Sequence, residues 1–412
     1  MGQRERGELI VGLDVGTTKI CAVVGEAKTT GVDIIGVGLH PSVGLRKGVV
    51  VNIESTVASI RKAVEEAELM AGCEISSVYV GIAGSHVKGL NSDGMIAVKD
   101  RVIRQADIDR VVEQAQALSI PLDREVIHIL PQEFVLDGQG GIQNPLGMTG
   151  VRLEARVHIV TGAVTAAHNL IKCCNQAGLD VSDIVLESLA SAAAVLTPEE
   201  MEFGVALLDI GGGTSDLAIF HGDAIKHTFV LGLGGNNLTN DLAVGLRTPI
   251  NEAERLKINF GSALASLVEK DRSVEVPSVG NRKPRVLSQK VLGDILEPRV
   301  EEIITIVDQE MVKANCKGLV TSGVVLTGGT SQTRHIVEIA EQIFDLPVRV
   351  GTPREIGGLK GIVDSPAYAT AVGLVLYGTR HEGGRKFRIR DEKIFGRVAG
   401  RMKRWFGSLM SS

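Results

Sequence analysis

The sequence predicts an α/β protein built from two similar lobes, because one order of strands and helices occurs twice along the chain. Three short strands, a helix and a further strand are predicted over residues 9–83. Three strands over residues 204–231, followed by helices and a late strand, repeat this plan. In each set, an aspartate followed by glycine and hydroxyl residues lies in a tight turn between the first two strands. Such a duplication predicts two helix-covered sheets that face each other.

Each element follows from a local pattern. The first strands are predicted at 9–15, 20–25, 32–38 and 77–83. A helix is predicted at 53–70, with Asn52 and Ser55 as the residues that favour its start and Gly72 as the residue that stops it. In the second set, strands are predicted at 204–210, 215–221, 224–231 and 323–326. Helices are predicted from Asn236, from Asn251 and over residues 332–344.

Two segments interrupt the duplicated plan. Residues of about 85–155 contain a charged helix at 105–118 and a stretch rich in glycine, asparagine and proline at 138–150. We expect this segment to form a small inserted α+β subdomain. A second insertion is predicted at about 235–300, with a loop at 276–284, and the composition after Tyr377 is that of a linker.

Charge is unevenly distributed along the 412 residues, although the formal net charge is only −5. Residues 379–412 hold ten basic and three acidic residues, a net charge of +7, which leaves −12 on the remainder. An acidic body argues against nucleic-acid binding over the whole surface. The basic tail indicates contact with an anionic partner.

The cysteines and the chain start predict the compartment. The cysteine count is odd, five in all, and no CxxC occurs, so a reducing cytosol is expected. No HExxH-like histidine spacing predicts a zinc site, residues 1–8 lack a signal peptide, and no apolar run approaches the roughly 18 residues of a spanning helix. We expect the chain neither to cross a membrane nor to leave the cytoplasm unaided.

The two turns, at residues 12–19 and 208–216, have the composition of phosphate-binding loops. Glycines let backbone N–H groups approach phosphate oxygens, and threonine hydroxyls add donors. An aspartate repels phosphate, so Asp14 and Asp209 are expected to hold Mg²⁺ through water, while Lys19 would offset phosphate charge. The candidates of the first loop are Gly12, Asp14, Gly16, Thr17, Thr18 and Lys19. Those of the second are Asp209, Gly211, Gly212, Gly213, Thr214 and Asp216.

The alternative is a pair of ordinary hairpin turns, since glycine-rich turns are common. Two matched loops and the Gly-Gly-Thr sequence at 328–330 favour a nucleotide site. The chain has no GxxxxGK[ST] motif, and no GxGxxG motif stands between a strand and a helix.

This constellation resembles the actin, Hsp70 and sugar-kinase superfamily, in which two such loops hold a nucleoside triphosphate between two domains. The resemblance implies ATP and Mg²⁺ as ligands. Glu254 and Lys257, three residues apart on one helix face, would approach the ribose or base, with an exposed surface pair as the alternative. Further positions implied are Gly234 and Gly235 at the start of a helix, and Gly328, Gly329 and Thr330 beside the adenosine.

Several stretches resemble more narrowly the FtsA family of bacterial cell-division proteins: 75–79, 129–134, 144–147, 270–280 and 325–329. The resemblance implies ATP binding, actin-like filaments, attachment of the FtsZ ring to the inner membrane at the septum, and recruitment of later division proteins through residues 85–155. It also implies subdomains 1A (1–84 and 156–203), 1C (85–155), 2A (204–234 and 301–365) and 2B (235–300). After these follow a helix returning to 1A (366–378), a linker (379–391) and a membrane-targeting helix (392–412).

Hydrolysis needs a polar side chain that orients the attacking water. Glu187 is the candidate, at the start of a predicted helix, and a carboxylate that caps this helix is the alternative. The stretch 190–196 after it offers no other candidate. The resemblance implies weak or absent turnover.

The C-terminal segment is predicted to be an amphipathic helix. Its apolar and basic residues fall on opposite faces, which indicates a helix lying in a membrane interface rather than one docked on the protein core. The residues expected at the membrane are Ile394, Phe395, Arg397, Val398, Arg401, Met402, Lys403, Arg404, Trp405, Phe406 and Leu409.

By the same resemblance, the C-terminal tail of FtsZ would dock on 2B around a helix that opens at Glu297 and Pro298. Arg299 and Glu302 would contact the tail, next to a basic strip at 282–285. Other classes of protein share parts of this pattern. A pilus-assembly protein would share the core but lack the membrane helix, and a metabolic kinase would also lack that helix, whereas a chaperone would add a β-rich substrate domain.

Overall fold

The computed structural model describes residues 7–29, 31–269, 272–280 and 283–380. The first elements are β1 (Leu9–Val15), β2 (Lys19–Lys28), β3 (Gly31–Pro41), β4 (Leu45–Arg46), β5 (Val49–Val50), α1 (Ile53–Ala71) and β6 (Ser77–Ile82). The next are β7 (Lys88–Ala97), α2 (Gln105–Ala115), β8 (Arg124–Leu136), β9 (Gln139–Ile142) and β10 (Arg152–Ala163). They are followed by α3 (Val164–Gln176), β11 (Asp180–Leu186), α4 (Glu187–Val195) and α5 (Pro198–Phe203).

The second half begins with β12 (Val205–Ile210), β13 (Ser215–His221), β14 (Ala224–Leu231), α6 (Gly235–Leu246) and α7 (Ile250–Phe260). Then come β15 (Ser273–Val276), β16 (Arg285–Ser288), α8 (Lys290–Lys313), β17 (Val324–Thr327), α9 (Ile336–Phe344) and β18 (Val348–Val350). The last are β19 (Ile356–Gly358), α10 (Lys360–Val363) and α11 (Ala369–Arg380).

The two lobes are two sheets of related topology. In the first, the strand order is β11-β6-β1-β2-β3-β19, and in the second it is β14-β13-β12-β17-β18. In the first sheet, β1 pairs antiparallel with β2 and parallel with β6. In the second sheet, β12 likewise pairs antiparallel with β13 and parallel with β17. The predicted duplication is therefore present in the hydrogen-bonded order of the strands.

Helix α1 illustrates how the sequence sets the packing. The side chain of Asn52 accepts a hydrogen bond from the Ser55 N–H at 3.0 Å, and Gly72 ends the helix with a φ of 61°. A β-carbon on Gly38 would lie 1.8 Å from the carbonyl oxygen of Ala63, so β3 carries glycine where the helix crosses it. Close approach of helix and sheet thus depends on glycine.

The inserted segment has a sheet and a hydrophobic core of its own. Its strands are ordered β7-β10-β8-β9, and α2 packs on them. Ile108, Phe134 and Leu153 lie in a cluster of buried side chains separate from the cores of the two lobes. This separate burial agrees with the predicted α+β insertion.

Three predicted helix boundaries are wrong. The helix predicted at 105–118 ends at Ala115, its last buried residue. The helix predicted from residue 332 begins at Ile336, because Gly329–Gln332 form a 3-10 turn and His335 has a left-handed φ of 61°. Pro298 does not open a helix but lies inside α8, whose buried face extends to both sides of it and outweighs the missing N–H donor.

No helix within the described ranges is long and apolar enough to span a membrane. The predicted linker and the predicted membrane-targeting helix lie outside the described residues, as does Arg282 of the basic strip.

Candidate nucleotide site

The first loop brings a carboxylate and an ammonium group together at the end of β1. Asp14 is buried, and the Nζ of Lys19 lies 3.5 Å from its Oδ2. Burial raises the pKa of Asp14, and the charge of Lys19 opposes this shift. The Lys19 ammonium also donates to the Ala367 carbonyl and lies 5.3 Å from the ring centroid of Tyr368. A fixed positive charge therefore stands beside the first loop.

The second loop places Asp209 at the end of β12, where helices of the other lobe contact it. The hydroxyl of Ser191 on α4 donates to Asp209 Oδ2 at 2.6 Å, and that of Thr370 on α11 donates to the same oxygen at 3.2 Å. Burial raises the pKa of Asp209 to about 6, and the hydroxyl of Ser191 counters part of this shift. The stretch 190–196, which offered no further candidate to orient water, thus supplies a hydrogen bond to Asp209 through Ser191. Ser191 follows Glu187 by four residues on one helix face, a spacing that sequence reasoning could have used.

Asp216 lies directly opposite Asp209 in the register of β12 and β13. Its Oδ1 atom is buried and has no hydrogen-bond partner among the described residues. Burial, followed by the charge of Asp209, raises the pKa of Asp216 to about 8. An orphaned carboxylate oxygen next to a glycine loop fits a site that a cation or its water ligands complete.

The two loops meet face to face. A β-carbon on Gly212 would lie 2.3 Å from Thr18 Cγ2, and one on Gly213 would lie 2.4 Å from Thr17 Oγ1. The Thr17 hydroxyl oxygen accepts a hydrogen bond from the Gly48 N–H at 3.0 Å. Only residues without a side chain permit this approach, so the glycines of the second loop set how closely the lobes can come together.

The glycine turn at residues 328–330 is connected to the second loop through the Gly211 carbonyl group. The Gly211 oxygen accepts the N–H of Gly235 and the hydroxyl of Thr330, both at 2.9 Å. Gly328 has a φ of +83°, and a β-carbon there would lie 2.3 Å from Asp209 Oδ1, whereas Gly329 faces open space. The turn at 328–330, the second loop and the start of α6 therefore form one continuous surface.

Glu254 and Lys257 are part of this surface rather than an isolated exposed pair. Lys257 Nζ lies 2.7 Å from Glu254 Oε2, 2.8 Å from Thr239 Oγ1 and 3.1 Å from the Gly235 carbonyl oxygen. Gly234, which precedes α6, packs on the second loop, since a β-carbon there would lie 2.7 Å from the Gly211 oxygen. The predicted helix start at Gly234 and Gly235 is confirmed.

Glu187 is the first residue of α4. Together with Asp14, Asp209 and Asp216 it forms what is called here the acidic group of the site. Burial raises its pKa well above the ordinary value, and the charges of Asp14, Asp216 and Asp209 raise it further. Its methylene groups pack on Gly81, where a β-carbon would lie 2.9 Å from Glu187 Cγ. The sequence placed Glu187 at a helix start but did not show that the charges of three aspartates act on it.

Two predicted site residues make contacts within the fold that the sequence did not show. Gly12 lies within β1, and a β-carbon there would lie 2.3 Å from the Ala371 carbonyl oxygen. It therefore provides room for α11 and does not belong to the loop. Arg299 is already engaged, with its Nε 2.7 Å from Asp241 Oδ2 and its Nη1 close to Glu302. The eleven predicted membrane residues, from Ile394 to Leu409, lie outside the described residues.

These residues can hold a phosphorylated ligand that carries a divalent cation. Glycine-lined backbone and threonine hydroxyls suit phosphate oxygens, and the carboxylates of Asp14, Asp209 and Asp216 suit the water shell of Mg²⁺. Among the described residues, no group of three histidine, cysteine, aspartate or glutamate side chains is arranged to bind a metal directly.

Two facing lobes with paired aspartate-glycine loops define the actin-like class of proteins. Among solved structures, the chain resembles the PilM-PilN type IV pilus biogenesis complex, with a TM-score of 0.65, 16% identity and coverage of 90% of this chain and 98% of that one. It also resembles MreB5 of Spiroplasma citri bound to ADP, with a TM-score of 0.54, 16% identity and coverage of 90% and 96%. At these identities the likeness concerns the fold alone.

Sequence comparison assigns the family. Residues 206–373 match the family described as Cell division protein FtsA, and residues 84–161 match the SHS2 domain inserted in FTSA. Cell division protein FtsA of Pseudomonas aeruginosa is 49% identical over 414 residues, which cover 98% of this chain and 99% of that relative. The chain belongs to the FtsA family of cell division proteins.

Proposed function

We propose that this protein binds ATP with Mg²⁺ between its lobes, polymerises into actin-like filaments and attaches the FtsZ ring to the membrane. The protein would act at the division septum, on the cytoplasmic face of the bacterial inner membrane. The observation that carries the proposal is the contact of the two loops, where Thr17 and Thr18 face Gly213 and Gly212. A nucleotide held there would touch both lobes at once, so its binding would favour one relative orientation of the lobes.

Each part of the site has a proposed role. Gly16, Thr17, Thr18, Gly211, Gly212, Gly213 and Thr214 would surround the phosphates, and Lys19 would offset their charge. Asp14 and Asp209 would hold the water ligands of Mg²⁺, with Asp216 beside them. The surface of Gly234, Gly235, Glu254, Lys257, Gly328, Gly329 and Thr330 would take the nucleoside. MreB5, which shares the fold, was solved with ADP, and this supports a nucleotide in this cleft.

Turnover is expected to be weak at most. Glu187 is the side chain of the acidic group that opens a helix toward the site, and we propose it as the residue that would orient the attacking water. Membership of the FtsA family supports weak turnover, and burial raises the pKa of Glu187.

Membrane attachment is assigned to the C-terminal segment. Basic residues near an anionic leaflet contribute on the order of 1 kcal/mol each, and apolar residues from Ile394 to Leu409 would add burial in the interface. One tail would bind weakly because ordering the helix costs entropy. A filament presents many tails, so polymerisation would make attachment persistent through effective concentration.

Family membership supports a proposal for the protein partners. We propose that the FtsZ tail docks near Arg299 and Glu302 on α8, and that later division proteins bind residues 85–155. Because Arg299 already pairs with Asp241, polar groups of an incoming peptide would share Arg299 with that carboxylate or displace it.

Calorimetric titration with ATP and Mg²⁺ tests the nucleotide site. We expect one ATP per chain, and at least a tenfold loss of affinity in Asp209→Asn, which keeps the size of the side chain but removes its charge. Asp223→Asn is the control, because Asp223 is exposed in the β13–β14 turn with a φ of 55°, which asparagine tolerates. An equal loss in both variants, or none in either, would remove Asp209 from the site.

A further inference from the structure

The inserted segment contacts the second lobe at the edge of its sheet. Strand β14 is the terminal strand of that sheet, and it carries a β-bulge. Ile219 pairs with His227 and Phe220 pairs with Ile225, so Lys226 is the extra residue of the bulge. A bulge on an edge strand leaves backbone groups for other partners.

Side-chain amides of the inserted segment bind this bulge. Gln132 Nε2 on β8 donates to the Ile225 carbonyl at 2.8 Å and to the Lys226 carbonyl at 3.2 Å. Asn91 Nδ2 on β7 donates to the same Lys226 carbonyl at 3.3 Å. The Gln143 amide, which follows β9, donates to the Gly222 carbonyl in the turn before β14, at 3.1 Å.

His158 on β10 also takes part in this contact, and its two ring nitrogens determine which groups donate and which accept hydrogen bonds there. Its side chain is fully buried, with Nδ1 2.6 Å from Asn91 Oδ1 and Nε2 2.8 Å from Thr228 Oγ1. Asn91 uses its amide nitrogen for Lys226, so its oxygen accepts the Nδ1–H and His158 Nε2 accepts the Thr228 hydroxyl. Burial, with a smaller contribution from the charge of His227, lowers the pKa of His158 to about 3. The histidine is therefore neutral at physiological pH, and the bonding pattern is complete.

The two surfaces approach too closely for a side chain at Gly89. A β-carbon there would lie 2.4 Å from Thr228 Oγ1 and 2.6 Å from His158 Nε2. The contact therefore depends on close packing as well as on hydrogen bonds. It has no free space that could accommodate a larger side chain.

Strand β13 connects this contact to the candidate nucleotide site. Asp216 and the second loop lie at its start, and the turn with Gly222 follows its end. Seven residues of strand span roughly 20 Å, and β13 is hydrogen-bonded on both sides, to β12 and β14, so it moves as a unit.

We propose that Asn91, Gln132, Gln143 and His158 form a brace that holds the second lobe to the inserted segment and limits how far the two lobes can move apart. The chain itself passes between the two sheets at residues 187–204 and 351–355, and the brace adds a connection that is not covalent. A ligand that displaced the inserted segment would release β14 and, through β13, loosen the second loop.

The test uses the full-length protein without nucleotide and measures hydrogen–deuterium exchange. The brace variant is Asn91→Ala with Gln132→Ala, both at or near the surface. The control is Gln139→Ala, an exposed amide on β9 of the same sheet. We expect exchange at least fivefold faster at 219–231 and also at 209–216 in the brace variant only. Exchange in α2 should be unchanged, which shows that the inserted segment still folds.

Unchanged exchange at 219–231 would overturn the brace. Faster exchange there with unchanged exchange at 209–216 would overturn the coupling to the second loop. A second measurement, which rests on the proposed function, is the release rate of a fluorescent ATP analogue, expected to rise at least threefold in the brace variant. If the unaltered protein binds no analogue, the proposed function fails while the exchange measurement still decides on the brace.

Discussion

Thr18 and Gly212 face each other across the two lobes, and a β-carbon on Gly212 would lie 2.3 Å from Thr18 Cγ2. The same holds for Thr17 and Gly213, at 2.4 Å from Thr17 Oγ1. Contacts this short exclude any side chain, so the second loop approaches the first only because it is made of glycine. The close approach of the two loops therefore depends on two positions that carry no functional group.

Gly212→Ala is expected to hold the loops apart and to lower ATP affinity at least tenfold. Adding a methyl group to a fully packed contact costs about 1–3 kcal/mol. Here that cost would destabilise the arrangement in which the two loops touch. Gly318→Ala is the control, since Gly318 lies outside the candidate site and a β-carbon there would have no atom within 4 Å. Titration with ATP and thermal unfolding would be measured for both. Equal ATP affinity in the two variants would contradict a role for the Thr18 contact.

Glu125 is expected to make the stability of the protein depend on pH. Burial raises its pKa to about 7, and its Oε1 atom has no hydrogen-bond partner among the described residues. Because the folded state holds this proton more tightly than the unfolded state, the stabilisation is complete below the unfolded pKa of about 4.3 and is lost as pH rises through about 7. Glu125→Gln should therefore match the unaltered protein near pH 4 and exceed it at pH 8, by on the order of 1 kcal/mol after solvent screening.

Urea unfolding at both pH values measures this difference. Glu113→Gln is the control, because Glu113 is exposed on α2. A constant difference between Glu125→Gln and the unaltered protein from pH 4 to pH 8 would rule out titration of Glu125 in this range.

Arg299→Glu is expected to abolish binding of an FtsZ tail peptide. The change removes the cation, and it also leaves Asp241 and Glu302 next to a third carboxylate. The pairs are partly exposed, so the free energy of unfolding should fall by only about 1 kcal/mol. Arg255→Glu is the control, because Arg255 makes an exposed pair with Glu252 on the neighbouring helix α7. Unchanged peptide affinity in Arg299→Glu, measured by titration, would remove Arg299 from the proposed docking site.

Charge reversal of Arg397, Arg401 and Arg404 is expected to release the protein from anionic liposomes. Each reversal removes an attraction on the order of 1 kcal/mol and adds a repulsion of similar size. The control reverses exposed arginines of the inserted segment, namely Arg101, Arg104 and Arg110. Liposome sedimentation that stays the same after the tail reversal would show that the basic face does not hold the membrane.

Local patterns predicted much of the fold. The bounds of β1, β13 and β14 agree with prediction because alternating or continuous apolar runs end at glycine-containing turns. The start of α9 was wrong because the left-handed His335 depends on its surroundings and not on its residue type. The predicted helix start at Pro298 was wrong for a similar reason, because burial of Leu296 and Val300 stabilises α8 on both sides of the proline.

Site residues could be predicted where their residue type and local spacing indicate the chemistry. They could not be predicted where residues far apart in the chain are brought together by the tertiary fold. The aspartates and glycines of both loops stood out by spacing alone. Gly12 has the same residue type, but its role is to admit α11, which lies more than 350 positions later in the chain. Ser191 and Thr370 are 179 residues apart in the chain, yet their hydroxyl oxygens lie 3.0 Å apart beside Asp209, and His158 meets Thr228 only through the tertiary fold. Contacts of this kind have no local signature.

Sedimentation of the full-length protein with anionic vesicles, with and without ATP and Mg²⁺ and in the presence of FtsZ, tests the central claim most directly. If ATP between the lobes drives polymerisation, and filaments hold the membrane through many tails, ATP should increase the vesicle-bound fractions of this protein and of FtsZ severalfold. Equal vesicle-bound fractions with and without ATP would contradict nucleotide-dependent attachment.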